Sequence, residues 1–331
     1  MKAFVHEGKK GMDGARMKEM DEQSPEKGEV RVKLKTAGLN HRDLFVLEKH
    51  GEEDPALVIG SDGAGIVESV GEGVSRVSIG DEVVINPSLG WLDKSDAPPD
   101  TFGIVGLPGH GTFAEKVVVP EDNLEQKPAH LSWEEAGVFS LAALTAYRAL
   151  FTRAQVKEGD TVFLPGVGSG AVTFLMMFAK AAGVRVIVTS RSEEKRQKAL
   201  ELGADKAIDS EEDWEEALKD EKVDIAIETV GAATFNKTLK SVRKGGTLVT
   251  FGASAGDEVT FDLRSFFYGQ YNLLGSTMGS RDEYQEMLQF ISEHNIKPVM
   301  DTVYSLENTK EAMMHLSEAK QLGKIALKIG E

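Results

Sequence analysis

The sequence predicts an α/β protein in two parts, a β-rich part followed by a doubly wound parallel sheet. Three observations carry this prediction. Residues 1 to 127 run in short period-two stretches, EVRVKLKTAG, GAGIVESVG, GDEVVINP and FAEKVVVP, separated by Gly, Asp, Asn and Pro. Such alternation makes half-buried strands, and the separating residues make tight turns. From about Leu131, runs rich in Val, Ile and Leu alternate with helical stretches, as in a parallel sheet covered on both faces. A glycine cluster, LPGVGSGAV, then sits between the first such run and the helix after it. At 331 residues, 41% hydrophobic, the chain can bury two cores of ordinary size.

The elements follow in order. The first part is expected to form a small barrel or sandwich, with a long irregular loop over Asp93–Gly103. SWEEAGVFSLAALTAYRAL reads as one helix, with Ser132 as N-cap and Glu135 three residues on, as in a capping box. TVFLPG, VRVIVTSR, ADKAID, VDIAIETVG, GGTLVTFGAS and YNLLGSTM read as six strands. AVTFLMMFAKAAG, SEEKRQKALELG and the acidic SEEDWEEALKD read as helices between the earlier ones. The alternation predicts a doubly wound sheet. The tail carries helices over Arg281–His294 and Thr309–Glu318, then a closing strand, GKIALKIG.

A net charge of -16 argues against nucleic acid and anionic membranes as partners, since both would repel it. Without cysteine the chain can form no disulfide, thiolate metal site or cysteine nucleophile. The start, MKAFVHEGKK, lacks the apolar core of a signal peptide. The longest apolar run, near Ala171–Phe178, ends at Lys180, too short to span a bilayer. These features point to a cytoplasmic protein.

Glycines at 166, 168 and 170 permit a tight strand-to-helix turn. The exposed N–H groups and the helix dipole then suit a pyrophosphate. Gly166, Gly168, Ser169, Gly170, Ala171 and Val172 are therefore candidate cofactor-binding residues. Ala171 and Val172 stand where a third glycine would let helix and strand pack closely. An NAD site usually places an acid about 20 residues past the glycines, on the ribose 2′-OH. Here Thr189, Ser190 and Arg191 occupy that place, and the first acid is Glu193. Ser190 and Arg191, with Lys195 on the next helix, are expected to bind a 2′-phosphate, which selects NADP(H).

These segments, together with AGLNHRDLF, PALVIGSDGAGIVESVGEGVSRVSIGDEVV, GTFAEKVVVP, LTAYRAL, ETVG and the closing GKIALKI, resemble the medium-chain dehydrogenase/reductases over essentially the whole chain. The resemblance implies a GroES-like catalytic domain, 1–127 with 277–331, a Rossmann cofactor domain, 128–276, and an active site in the cleft between them. Zinc-dependent members of that family have a cysteine where Asn40 stands and a His-Glu pair where Ser61 and Asp62 stand. Their other ligands also need cysteines. His41, Asp43 and Asp62 remain, a poor set for zinc, and no metal is expected. His41 is expected to be an exposed or hydrogen-bonded loop residue, and Asp43 an acceptor for turn N–H groups.

The chain resembles the zinc-free quinone oxidoreductases and related enone reductases of the family. That resemblance implies that Asn40 and Thr145 lie beside the nicotinamide and that Lys324 reaches the cofactor phosphates. It implies that Val230–Gly231, Phe251–Gly252–Ala253 and Gly275–Met278 line the adenosine and nicotinamide. Without a Lewis acid, alcohol oxidation is harder than reduction of a conjugated carbonyl, whose oxygen takes the charge and needs only hydrogen-bond donors. The expected reaction is hydride transfer from NADPH to a quinone or an α,β-unsaturated carbonyl. Asn40 and Thr145 are its catalytic candidates, His110 is a minor candidate for proton relay, and Trp91 with the loop after it is a candidate for shaping the substrate pocket. Phe45 and Leu47 stand where some enoyl reductases of the family carry a tyrosine acid, which weakens an enoyl-thioester reading. A cofactor-binding protein with little turnover, of sensor or crystallin type, and a metal-free alcohol dehydrogenase are the alternatives. The resemblance also implies a homodimer joined edge to edge at the last strand of the Rossmann sheet.

Overall fold

The computed structural model describes residues 1–330. Its contacts divide it into two units. One is Met1–Leu144 together with the chain from Gly279 onward, and the other is Thr145–Met278. The first division falls after Leu144, beyond the expected 127, for a physical reason. The intervening segment is fastened to the first unit: Leu141 N donates to Asp62 at 2.7 Å, Ser140 and Tyr284 share a hydroxyl bond of 2.7 Å, and Lys297 pairs with Glu135 at 3.1 Å.

The first unit begins with β1 (Lys2–His6), β2 (Ala15–Glu19), β3 (Glu29–Gly38), α1 (His41–Lys49), β4 (Leu57–Val58) and β5 (Asp62–Val70). It continues with β6 (Glu82–Ile85), β7 (Ser88–Leu89), β8 (Gly103–Ile104), β9 (Lys116–Pro120), β10 (Leu124–Gln126), α2 (Trp133–Ala136) and α3 (Ser140–Tyr147), which crosses the division. Its main sheet runs β10-β6-β5-β3 and then takes up the two closing strands of the chain, with β9 also on β3. A smaller sheet runs β2-β1-β4. Along β3, Val30, Val32 and Leu34 are buried and the residues between them are not, so the period-two pattern sets one face into a core shared with Ile85, Phe113 and Leu327.

The single helix expected after Ser132 is broken. The capping box at Ser132 and Glu135 is present, but α2 ends at Ala136 and α3 starts at Ser140. The cause is a close backbone approach. A Cβ on Gly137 would lie 2.6 Å from Thr36 Cβ, and one on Gly38 would lie 2.5 Å from Val138 Cα. The Asp93–Gly103 loop is irregular up to Gly103, where β8 begins. Lys94 ties it to Glu286 at 2.9 Å.

The second unit holds β11 (Thr161–Leu164), α4 (Gly170–Ala181), β12 (Arg185–Ser190), α5 (Glu193–Glu201), β13 (Lys206–Asp209) and α6 (Trp214–Ala217). It ends with β14 (Ile225–Glu228), α7 (Phe235–Ser241), β15 (Thr247–Thr250), α8 (Leu263–Gly269) and β16 (Asn272–Gly275). The sheet order is β13-β12-β11-β14-β15-β16, every neighbour parallel. The order reverses between β11 and β14, where doubly wound sheets open a crevice at their carboxyl edge. Phe163, Ile187, Ala226 and Leu248 fill the core beneath. The acidic helix is shorter than its composition suggests: Asp213 is its N-cap, so it runs only from Trp214 to Ala217, and Glu221 beyond it pairs with Arg185 of β12 at 2.9 Å. Trp214, capped in by Asp213, packs edge-on to Phe163.

Back in the first unit, the chain closes with α9 (Arg281–Glu293), β17 (Met300–Ser305), α10 (Thr309–Ser317) and β18 (Lys324–Lys328). β18 pairs antiparallel with β3 and parallel with β17. Among the described residues no helix is long and apolar enough to cross a membrane.

Candidate functional site

In the second unit the glycine turn does what its spacing predicts. Gly166 and Gly168 take positive φ, 79° and 144°, and Ser169 caps α4 by accepting from Val172 N at 3.3 Å. Two partners fix the turn from the second strand, which the sequence did not reveal. Gly166 N donates to Thr189 Oγ1 at 3.1 Å and Val167 N to Thr189 O at 2.7 Å. Gly168, Gly170 and Ala171 lie at and before the first turn of a helix, whose N–H groups have no partner within the helix. This turn fits a pyrophosphate.

Ser190 ends β12, is buried, and accepts from Ser192 N at 3.2 Å. Arg191 follows it and is exposed. Lys195 lies in the first turn of α5, with its backbone N on the Ser192 cap. Asp209 pairs with Arg196 at 2.7 Å, and Glu193 also bonds Arg196.

At the end of β14, Glu228 organises the turn that carries Val230 and Gly231. It is fully buried, and its Oε1 accepts from Val230 N at 2.6 Å and Gly231 N at 3.0 Å. Thr234 and Thr238 donate their hydroxyls to the same carboxylate, at 3.0 and 2.5 Å. The ends of β14 and β15 approach closely enough to need glycine. A Cβ on Gly231 would lie 2.4 Å from Gly256 O, and one on Gly252 would lie 2.2 Å from Thr229 O. Phe251, Gly252 and Ala253 follow β15, and Ser276 follows β16. Ser276 Oγ is buried with no hydrogen-bond partner. Each of these positions stands at the carboxyl edge of the sheet, the edge where such sheets take ligands.

In the first unit a polar cluster is buried around the N-terminus of α1. Asn40 is the N-cap, and its backbone N donates to Asp43 Oδ2 at 2.7 Å, so Asp43 is the turn acceptor the sequence suggested. The other Asp43 oxygen is buried without a partner. Burial pushes this carboxyl up to about 6, against the pull of the Arg42 guanidinium. Asn40 Nδ2 donates to Asp62 Oδ2 at 3.0 Å. Lys324 enters from β18 and changes the expected picture. Rather than being free for phosphate, its ammonium donates to Leu39 O at 2.7 Å and Asn40 Oδ1 at 2.6 Å, and lies 3.4 Å from Asp62 Oδ2. The side chain is nearly inaccessible, and its three hydrogens match its three acceptors. Burial pushes the Lys324 ammonium down and the Asp62 carboxyl up, and each charge opposes the other's shift.

The remaining candidates separate. His41 opens α1 half-buried, with its pKa lowered by burial and by the Lys324 charge. Arg42, not singled out from the sequence, donates to Ser61 Oγ at 2.7 Å and Val105 O at 3.1 Å. His110 Nδ1 accepts from Val58 N at 3.2 Å. Trp91 is buried edge-on to Phe102 and bonds Ser95. Thr145 is buried on α3 at the start of the second unit. Among the described residues no three His, Cys, Asp or Glu side chains are grouped so as to hold a metal ion.

Residues 26–129 match the profile of the alcohol dehydrogenase GroES-like domain, and residues 166–293 match that of the zinc-binding dehydrogenases. A zinc-type alcohol dehydrogenase-like protein of Schizosaccharomyces pombe is 34% identical, over 99% of each chain. The chain belongs to the medium-chain dehydrogenase/reductase family. Among solved members of the family, a structure described as an NAD-dependent alcohol dehydrogenase superposes with a TM-score of 0.92 at 35% identity, over 100% of both chains. A crotonyl-CoA carboxylase/reductase, AntE, solved in complex with NADP, superposes at 0.89 with 26% identity, over 99% of this chain and 95% of that one.

Proposed function

We propose that this family member is a zinc-independent, NADPH-dependent reductase of conjugated carbonyl compounds, quinones and enones, working in the cytoplasm. The observation that carries this reading is the buried Asn40–Asp62–Lys324 cluster. Zinc does not fit there. The chain has no cysteine, and Asp62 already accepts from Asn40, Leu141 and Lys324. A cation, the Lys324 ammonium, is supplied by the chain itself.

The second unit fits a dinucleotide. Gly166, Gly168, Ser169, Gly170, Ala171 and Val172 would hold the pyrophosphate, while Val230, Gly231, Phe251, Gly252, Ala253 and the orphaned Ser276 hydroxyl would line the rest. Ser190, Arg191 and Lys195 stand where NAD sites carry an acid, which supports NADP(H) over NAD(H). When bound, the nicotinamide supplies hydride to carbon. The chain's task is then the charge that develops on the substrate oxygen, and a hydrogen-bond donor suffices for a delocalised oxyanion. Asn40 serves as that donor, with Thr145 as the second catalytic residue near the nicotinamide and water as the proton source. The AntE likeness gives one specific second reading, an enoyl thioester as the conjugated carbonyl.

The protein works as a homodimer. β16 is one of the two edge strands of its sheet, and Leu273 on it and Leu263, Phe267 and Tyr268 on α8 are exposed. An open edge beside exposed apolar side chains is a surface that proteins usually cover.

The test is NADPH consumption by chelator-treated protein with an ortho-quinone, cyclohex-2-enone and crotonyl-CoA, beside NADH and beside ethanol with NADP+. Turnover of a conjugated carbonyl with NADPH after chelation is expected. Ethanol oxidation that chelation abolishes would refute the reading.

A further inference from the structure

Lys324 and Asp62 constrain Asn40 more tightly than packing would. A carboxamide can be seated two ways, because its oxygen and its nitrogen are nearly the same size. Here the seat distinguishes them. An ammonium has donors and no acceptor, so the Asn40 atom 2.6 Å from Lys324 Nζ is the oxygen. An ionised carboxylate accepts only, so the atom 3.0 Å from Asp62 Oδ2 is the nitrogen. Turning the amide over would set N–H groups against an ammonium and an oxygen against a carboxylate. The oxygen is thereby committed, one N–H is committed to Asp62, and the second N–H has no partner among the described residues.

We propose that Lys324 and Asp62 are positioning residues that lock the Asn40 carboxamide oxygen-inward, so that Asn40 meets its substrate only as a hydrogen-bond donor. This rests on the reading that Asn40 serves the reduction, and it deepens that reading by naming what the site selects. A carbonyl oxygen, and the oxyanion it becomes, accepts such a donor. An alcohol hydroxyl that must lose its proton needs an acceptor, and Asn40 has none to offer. The lock therefore suits the enolate oxygen formed when hydride adds to the carbon of a conjugated carbonyl, and it gives an alcohol hydroxyl no base.

The experiment uses the full-length protein labelled with ¹⁵N-asparagine, with the Asn40 side-chain amide assigned by its disappearance in N40D. The wild type is expected to show one set of Asn40 amide signals, one proton protected from exchange and the other moved by NADP+ with cyclohex-2-enone. In K324M/D62N, which removes both charges, a second set of signals is expected. Its kcat/KM for the enone is expected to fall at least tenfold with NADPH affinity unchanged. K324R, which keeps a cation opposite Asp62, is expected to restore the single set in part. Two sets of signals in the wild type, or a single unmoved set in K324M/D62N, would overturn the lock. The wild-type spectrum needs only N40D, which keeps the size and shape of the side chain, to fold. Because it is read without turnover, a protein inert toward every quinone and enone overturns the proposed reaction while the spectrum still judges the lock.

Discussion

Asp62 and Glu228 are both fully buried carboxylates, one in each unit, and they are kept in entirely different ways. Glu228 is held by its own neighbourhood: the backbone of Val230 and Gly231 and the hydroxyls of Thr234 and Thr238, all on the next turn and helix. Asp62 is held by residues distant in sequence, Asn40, Leu141 and Lys324, one of them a cation. Four short donor contacts can satisfy a carboxylate without a counter-charge. With fewer donors and a 3.4 Å ammonium, Asp62 depends on the pair. The first acid shapes a loop, and the second joins three segments of a unit.

The largest effect should come from breaking that pair. Asp62→Ala leaves a buried ammonium without its counter-charge and should cost about 3–5 kcal/mol, read as a lower urea midpoint. Asp62→Asn together with Lys324→Met should recover most of the loss, because removing both charges is far milder than stranding one. Equal losses in the single and double variants would show that the contact is not an ion pair.

Asp43 sharpens the comparison through pH. Its carboxyl is pushed up to about 6 in the fold, above the ordinary carboxylate range. A raised acid binds its proton more tightly in the native state. Its stabilising contribution is therefore full below about pH 4 and is lost as pH rises through about 6, a swing of about 3 kcal/mol. Asp43→Asn keeps an oxygen for Asn40 N and cannot ionise. Its stability relative to wild type should rise across that window and be flat above it. A difference that stays constant from pH 4 to 7 would remove Asp43 as the titrating group.

Glu228→Ala should cost less, about 2–3 kcal/mol, since it strands no opposite charge and two of the donors it orphans, on Val230 and Thr234, belong to half-buried residues that water can reach in part. Glu228→Gln should recover much of this, because an amide oxygen can still accept from both backbone N–H groups. Hydrogen exchange should place the loss in the turn after β14. If Gln is as damaging as Ala, the charge itself matters and the contrast with Asp62 weakens.

The same contrast explains what was legible in the sequence. The glycine turn, the six parallel strands and the missing acid after β12 are written in contiguous residues, where backbone sterics and side-chain period act directly. The place of Lys324 is not. The family resemblance sends Lys324 to the cofactor phosphates, and only the pairing of β18 with β3 brings it to Leu39 and Asn40. The break between α2 and α3 was hidden for the same reason. Within SWEEAGVFSLAALTAYRAL no local residue marks the break, and its cause, the approach of Gly137 to Thr36 on β3, is distant in sequence. Thr189 was legible only as a bystander in the cofactor argument, because its hold on Gly166 crosses from one strand to the next.

Arg191 gives the smallest effect and the cleanest separation of the two kinds of residue. It is exposed at the end of β12 and forms no ion pair among the described residues, so nothing in the fold leans on it. Arg191→Ala should leave stability within about 0.5 kcal/mol of wild type, as surface substitutions generally do. If it meets a 2′-phosphate, the variant should bind NADPH about tenfold more weakly, about 1.4 kcal/mol, with NADH affinity unchanged. Fluorescence titration with the two cofactors measures both arms. Asp62→Ala should show the reverse pattern, a large stability loss with little preference between cofactors. Equal weakening toward NADPH and NADH in Arg191→Ala would take the 2′-phosphate away from this arginine and leave Ser190 and Lys195 to account for cofactor choice.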